Sequence, residues 1–263
     1  MLLTSQYNLR TNNTMTLEKC IPTNQSFGKF EPVIYLQYMP TNLALTSDDR
    51  MFVCFPDFGD DNPFSLAEII CGKPVPYPNI KLNKRTGDPY KRFVSVQSVN
   101  YYGGLLWVLD TRRPNLQSPI HGGPKLFTIN LETNEVIDII YFGQDIIDDS
   151  VYLNDFKILY TSTGKFAFIT NSTIVEPSTK NIGGILVVNL ETKEKWWKLR
   201  NDYSVTPPRE FKAIVEGRYM LVRERGQPDK PWLIASDGIT LSHNGRLVYY
   251  CPVSSRELFS VET

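Results

Sequence analysis

The sequence predicts an all-β chain built as a β-propeller, and three observations carry that expectation. Almost no segment shows the 3.6-residue spacing of an amphipathic helix; apolar residues alternate or run in short bursts, punctuated about every ten residues by Gly, Pro, Asn or Asp. The phrase Asn-Leu-Glu-Thr-x-Glu occurs twice, starting at Asn130 and again at Asn189. Each copy follows an apolar run and a Gly-Gly pair, Gly122-Gly123 and Gly183-Gly184. A unit of several strands repeating every roughly 40–60 residues is the signature of successive propeller blades.

Two kinds of burst alternate along the chain. The first reads "RMFVCFP" (50–56), "GLLWVLDT" (104–111), "KFAFITNS" (165–172) and "RLVYYCPV" (246–253). The second follows it and reads "KLFTINLET" (125–133), "GILVVNLET" (184–192) and "ELFSVET" (257–263). Aromatic and β-branched residues dominate both, as a pleated surface favours. In "NLETNE" and "NLETKE" the Asn, Thr and Glu side chains can bond neighbouring backbone, which lets a strand reverse. "SLAEII" (65–70) is the best helical fragment, and it is short. By this register the chain holds four blades and part of a fifth within residues 36–263, after an extended segment over residues 1–35. A ring closes by pairing its first and last blades, so an incomplete last blade leaves an edge open to self-association.

Composition removes several function classes. Lys plus Arg and Asp plus Glu both number 28, so no bulk field draws nucleic acid or an anionic membrane. No apolar run approaches the roughly 20 residues of a membrane-spanning helix, and residues 1–16 lack the apolar core of a secretion signal. Cys20, Cys54, Cys71 and Cys251 form no C-x-x-C pair, so metal spacing is absent. They read as two disulfides or four thiols, and the missing export signal favours thiols. N-x-S/T sites at Asn12, Asn24 and Asn171 matter only in an exported chain.

The stretches "GGLLWVLDT", "GGPKLFTINLETNEVIDIIYF", "VYLNDFKI", "GGILVVNLET" and "SDGITLSHNGRLVYYCPVSSRELFSV" closely resemble the major royal jelly protein / Yellow family. The resemblance runs from about Pro40 to the last residue and is most distinctive over 237–261. It implies a six-bladed propeller, here without its last blades, and an extracellular location. The unsigned amino terminus leaves the cytoplasm as the alternative. It also implies a family that includes pigmentation proteins and binders of biogenic amines. The sequence departs from the family at "SHNG", where His243 and Asn244 stand in place of Pro-Asp.

Propellers hold ligands where inner-strand ends converge on the central channel. Asn154 and Asp155 in "YLND", and Asp237 in "SDGI", occupy corresponding places and could hold an amine or a hard cation. Asn171, placed at a strand end as Asp110 is, joins the candidate set, with a turn-acceptor role as its alternative. Asp145, Asp148 and Asp149 share one loop and read as solvated; Trp107, Trp196 and Trp197 read as filling between blades. His121 and His243 sit in loops unsuited to a shielded catalytic imidazole, and no G-x-S-x-G, H-E-x-x-H or phosphate loop occurs. The expectation is therefore a non-catalytic protein for a small amine or aromatic ligand, with no cofactor, no metal and no catalytic residue. The alternatives are a dopachrome-tautomerase or metal-dependent lactonase enzyme, and a truncated product without independent activity.

Overall fold

The computed structural model describes residues 31–59, 61–111, 120–175, 179, 182–223 and 225–263. The chain divides into two compact units, Met1–Tyr35 and Leu36–Thr263, and every strand among the described residues lies in the second. The first 30 residues of the segment expected to be extended, with Cys20, Asn12 and Asn24, lie outside the described residues.

Four antiparallel sheets form four blades. Blade one comprises β1 (Asn42–Leu45), β2 (Met51–Cys54), β3 (Leu66–Ile70) and β4 (Lys73–Pro76). A single helical turn, α1 (Ile80–Asn83), leads to blade two: β5 (Val96–Tyr102), β6 (Leu105–Asp110), β7 (Lys125–Asn130) and β8 (Glu135–Tyr141). Blade three comprises β9 (Leu153–Thr161), β10 (Gly164–Asn171), β11 (Ile185–Asn189) and β12 (Lys195–Lys198). Two short ribbons follow, β13 (Ile214–Val215) with β14 (Arg218–Tyr219) and β15 (Leu221–Val222) with β16 (Lys230–Pro231). Blade four comprises β17 (Ser236–Leu241), β18 (Leu247–Pro252) and β19 (Phe259–Glu262). The ribbons explain why the last repeat interval is the longest. The first kind of burst is the second strand of each blade, and the second kind is the third strand.

The fragment "SLAEII" is strand, not helix. Its Leu66 and Ala67 are buried and pair with Cys54 and Val53 of β2, so tertiary pairing overrides the local helical preference.

Each blade packs on the next through alternate residues of the same strands. In β6, Leu106 and Val108 face blade one beside Phe52 and Leu66, while Trp107 and Leu109 face blade three beside Phe156 and Ile158. A strand buried on both faces reads as a continuous apolar run, which is why "LLWVL" lacks alternation. Blade three repeats the arrangement, giving Phe168, Ile185 and Val187 to blade four beside Ile239, Val248 and Tyr250. Full burial of one such side chain stabilises by roughly 1.5–3 kcal/mol. Trp107 and Trp197 fill the space between blades as expected, and Trp197 Nε1 donates to the Ile146 carbonyl at 2.6 Å.

The repeated phrase forms the same turn twice. Asn130 Oδ1 accepts from the Glu132 and Thr133 amides at 2.8 and 3.2 Å, and Asn189 Oδ1 from those of Glu191 and Thr192 at 2.9 and 3.0 Å. The turns close through Asn134 and Lys193, at φ 56 and 64.

Candidate functional site

The inner strands stand side by side around the axis: β1 against β5, β5 against β9, and β9 against β17. Each of the last three starts with a register break. β5 pairs Val96 with Asp110 and then Ser98 with Leu109, leaving Gln97 extra. β17 pairs Ser236 with Pro252 and then Gly238 with Cys251, leaving Asp237 extra. On β9 the pairs are Leu153 with Asn171 and Phe156 with Ile169, so Asn154 and Asp155 share Thr170. A bulge of one residue re-aims side chains at the end of a ladder. Here it brings consecutive polar residues onto the channel.

The result is a cavity of about 260 Å³ lined by Thr41, Asn42, Gln97, Ser98, Asn154, Asp155 and Asp237. Three of the four candidate ligand residues, Asn154, Asp155 and Asp237, therefore meet in one place. Thr41, Asn42, Gln97 and Ser98 are the residues that sequence reasoning missed.

Asn171 lies elsewhere. Its side chain is fully buried; Oδ1 accepts from the Tyr152 amide at 2.9 Å and the Thr173 hydroxyl at 2.8 Å, and Nδ2 donates to the Gly183 carbonyl at 3.3 Å. It ties the end of β10 to the residue just before β9. Asp110 does the same for blade two, accepting from the Val94 and Ser95 amides at 2.7 and 2.8 Å. The charge this brings indoors is met by Lys125, itself fully buried, whose Nζ lies 3.0 Å from Asp110 and 2.8 Å from the Pro89 and Gly123 carbonyls. Full burial also removes Asn171 as a glycan acceptor in the folded chain.

Within the cavity most polar atoms are already engaged. Asp155 Oδ1 accepts from the Ser98 hydroxyl and the Phe156 amide, both at 2.8 Å, and its Oδ2 lies 3.4 Å from Lys157 Nζ. Asp237 Oδ2 accepts from the Ser172 hydroxyl at 3.1 Å. Gln97 Nε2 donates to Asn154 Oδ1 at 2.7 Å, and Gln97 Oε1 accepts from the Tyr152 hydroxyl at 2.6 Å. Burial pushes the Asp237 carboxyl above its ordinary range and Asp155 adds to the rise, against the hydrogen bonds of Ser172 and Asn154.

Two thiols back the cavity. Cys54 Sγ lies 3.2 Å from the Gln97 carbonyl, and burial pushes its thiol up to about 12. Cys251, opposite Gly238, is likewise pushed up by burial and by Asp237. A thiol held protonated is a poor nucleophile. Cys54, Cys71 and Cys251 are all unpaired. His121 and His243 are both exposed. Asp148 is held by Ser150 and by Arg200, 3.0 Å away.

The family described as "Major royal jelly protein" matches residues 98–263, more than half of the chain. No curated protein matches the sequence. Among solved structures, the periplasmic gluconolactonase of Pseudomonas aeruginosa is similar at 14% identity and a TM-score of 0.44, the match covering 85% of this chain and 53% of that one. An auxiliary nutrient binding protein from Bacteroides ovatus is similar at 11% identity and a TM-score of 0.37, covering 86% of this chain and 48% of that one. This chain thus spans about half the length of these structures.

Proposed function

The chain belongs to the major royal jelly protein family, and on that premise we propose that it binds a small primary amine, without catalysis, in the channel cavity of its inner strands. The observation that carries this reading is the pair Asp155 and Asp237 in a cavity whose seven lining residues are all polar. An alkylammonium group brings one charge and three donors. Asp237 Oδ1, Asp155 Oδ2 and Asn42 Oδ1 offer acceptor capacity for them, and charge-assisted hydrogen bonds are the strong kind. A calcium ion would ask for 6–8 oxygens. The Gln97 side-chain oxygen accepts from the Tyr152 hydroxyl and that of Asn154 from the Gln97 amide, and no cluster of three or more His, Cys, Asp or Glu exists among the described residues. Ammonium therefore fits the donor set better than a divalent cation. The imidazoles are exposed and the thiols behind the cavity are held protonated, so neither group supplies a nucleophile there.

The cavity lies below the roughly 300 Å³ at which pockets for drug-sized ligands begin, and no aromatic side chain lines it. It reads the ammonium group and leaves the rest of the ligand outside. Calorimetry should show dopamine, serotonin and a simple alkylamine binding within about tenfold of one another, and N-acetyldopamine and N-acetylserotonin giving no heat. Absence of heat with every free amine at millimolar concentration, or equal binding of the acetylated forms, would reject the reading.

A further inference from the structure

Resting on the amine reading, we propose that Lys157, which does not line the cavity, keeps it for singly charged amines by cancelling one of its two carboxylates from outside. The seven lining residues include two charged ones, Asp155 and Asp237, and no lysine or arginine. Lys157 lies two residues beyond Asp155 on β9, and its Nζ stands 3.4 Å from Asp155 Oδ2. Among the described residues it is the one cation paired with a cavity carboxylate. Lys157 shares a side of β9 with Leu159, which packs on blade four beside Ile239, so its stem lies in the seam between blades three and four. Asp155 Oδ1 is taken by the Ser98 hydroxyl and the Phe156 amide, which leaves Oδ2 for both the lysine and a ligand. A carboxylate oxygen has two lone pairs and can serve both.

With both carboxylates ionised, the cavity and its lysine carry a net charge of minus one. A single ammonium group brings the sum to zero, and a diamine overshoots it. Without the lysine the sum is minus two, so a diamine matches it and a monoamine leaves one carboxylate uncompensated. The energy of a ligand in this field scales with the ligand's charge. Losing the lysine's charge therefore multiplies monoamine affinity by one factor and diamine affinity by its square. The ratio of the two rises by the factor itself. The side chains of Lys157 and Asp155 are 25% and 20% exposed, so solvent screens the pair in part. The factor is accordingly modest, about five- to tenfold.

Calorimetry with n-propylamine and 1,3-diaminopropane, one skeleton bearing one or two ammonium groups, tests this. In Lys157→Met the diamine-to-monoamine affinity ratio is expected to rise by about fivefold or more. In Lys157→Arg, which keeps the charge, the ratio is expected to stay within about twofold of that of the unmodified protein. A lysine that only packs would change both affinities alike. A smaller rise in the methionine variant, or a matching rise in the arginine variant, would overturn the proposal. Should Lys157→Met not fold, Lys157→Gln carries the same expectation. Carbon-13 resonances of the aspartate carboxyls in the ligand-free protein separate this from the amine reading itself. Loss of a nearby positive charge disfavours an ionised carboxyl, so Asp237 should take up its proton at higher pH in Lys157→Met and at unchanged pH in Lys157→Arg. That pattern supports the charge role even if no amine binds the unmodified protein. A titration unmoved in Lys157→Met refutes it even if amines do bind.

Discussion

Replacing Lys125 by methionine is expected to lower the unfolding free energy by about 3–5 kcal/mol, the scale for removing one partner of a buried ion pair. Lys125 and Asp110 are both wholly inaccessible, and all three Nζ donors are engaged. Without the lysine, Asp110 loses its buried cation, and the Pro89 and Gly123 carbonyls lose their donor. Blade three shows the remedy. There the equivalent position is Asn171, whose amide group performs the same tie with no charge and no lysine. The double change Asp110→Asn with Lys125→Met should therefore recover a large part of the loss, because it removes the buried pair as a whole. Urea unfolding at constant m-value checks both statements. A single Lys125→Met that costs under about 1 kcal/mol would mean that the pair contributes little to holding blade two together.

Asp237→Asn is expected to weaken amine binding by roughly 30-fold or more, about 2 kcal/mol, while raising stability near neutral pH by about 1 kcal/mol. The two effects have one cause. Burial and Asp155 disfavour the ionised Asp237, so its folded-state pKa stands above the ordinary 3.8. A carboxyl with a raised folded pKa binds its proton more tightly when folded. It costs nothing below the unfolded value; the cost grows as pH rises toward the folded value and is complete above it. The asparagine variant should thus gain on the parent as pH rises through that window and match it at the acid end. Amine affinity should move in the opposite sense in the parent, falling as pH drops through the folded pKa. The groups that face Asp237 are Asp155, with Lys157 behind it, and the Cys251 thiol, which stays protonated across this range. A variant with parental affinity would remove Asp237 from the site.

Much of the fold was legible because strand chemistry repeats: the second and third strands of the blades carry matched apolar runs, and Asn130 and Asn189 start the same turn. The site was legible only where it held carboxylates. Asp155, its neighbour Asn154, and Asp237 stood out. Thr41, Asn42, Gln97 and Ser98 are neutral residues at the heads of β1 and β5. They recur at near-constant spacing with the later pair, 41 to 97 to 154 and 42 to 98 to 155, but Thr-Asn, Gln-Ser and Asn-Asp share no residue type at either position that marks them as equivalent. Pairing "TN", "QS" and "ND" as the two residues ahead of each inner strand's apolar run would have found them. Asn171 looked equivalent to the channel residues because it also ends a polar-tipped strand, yet the end of a second strand points at the start of the first, not at the axis. Lys125 opens "KLFTIN" like a solvated strand end, and only the juxtaposition with Asp110, 15 residues earlier, explains its burial.

A structure determined with a primary amine bound tests the central claim most directly. The account predicts the ammonium nitrogen inside the cavity of the inner strands, at about 2.7–2.9 Å from carboxylate oxygens of Asp237 and Asp155. An amine nitrogen seated elsewhere, with that cavity unchanged, would contradict it.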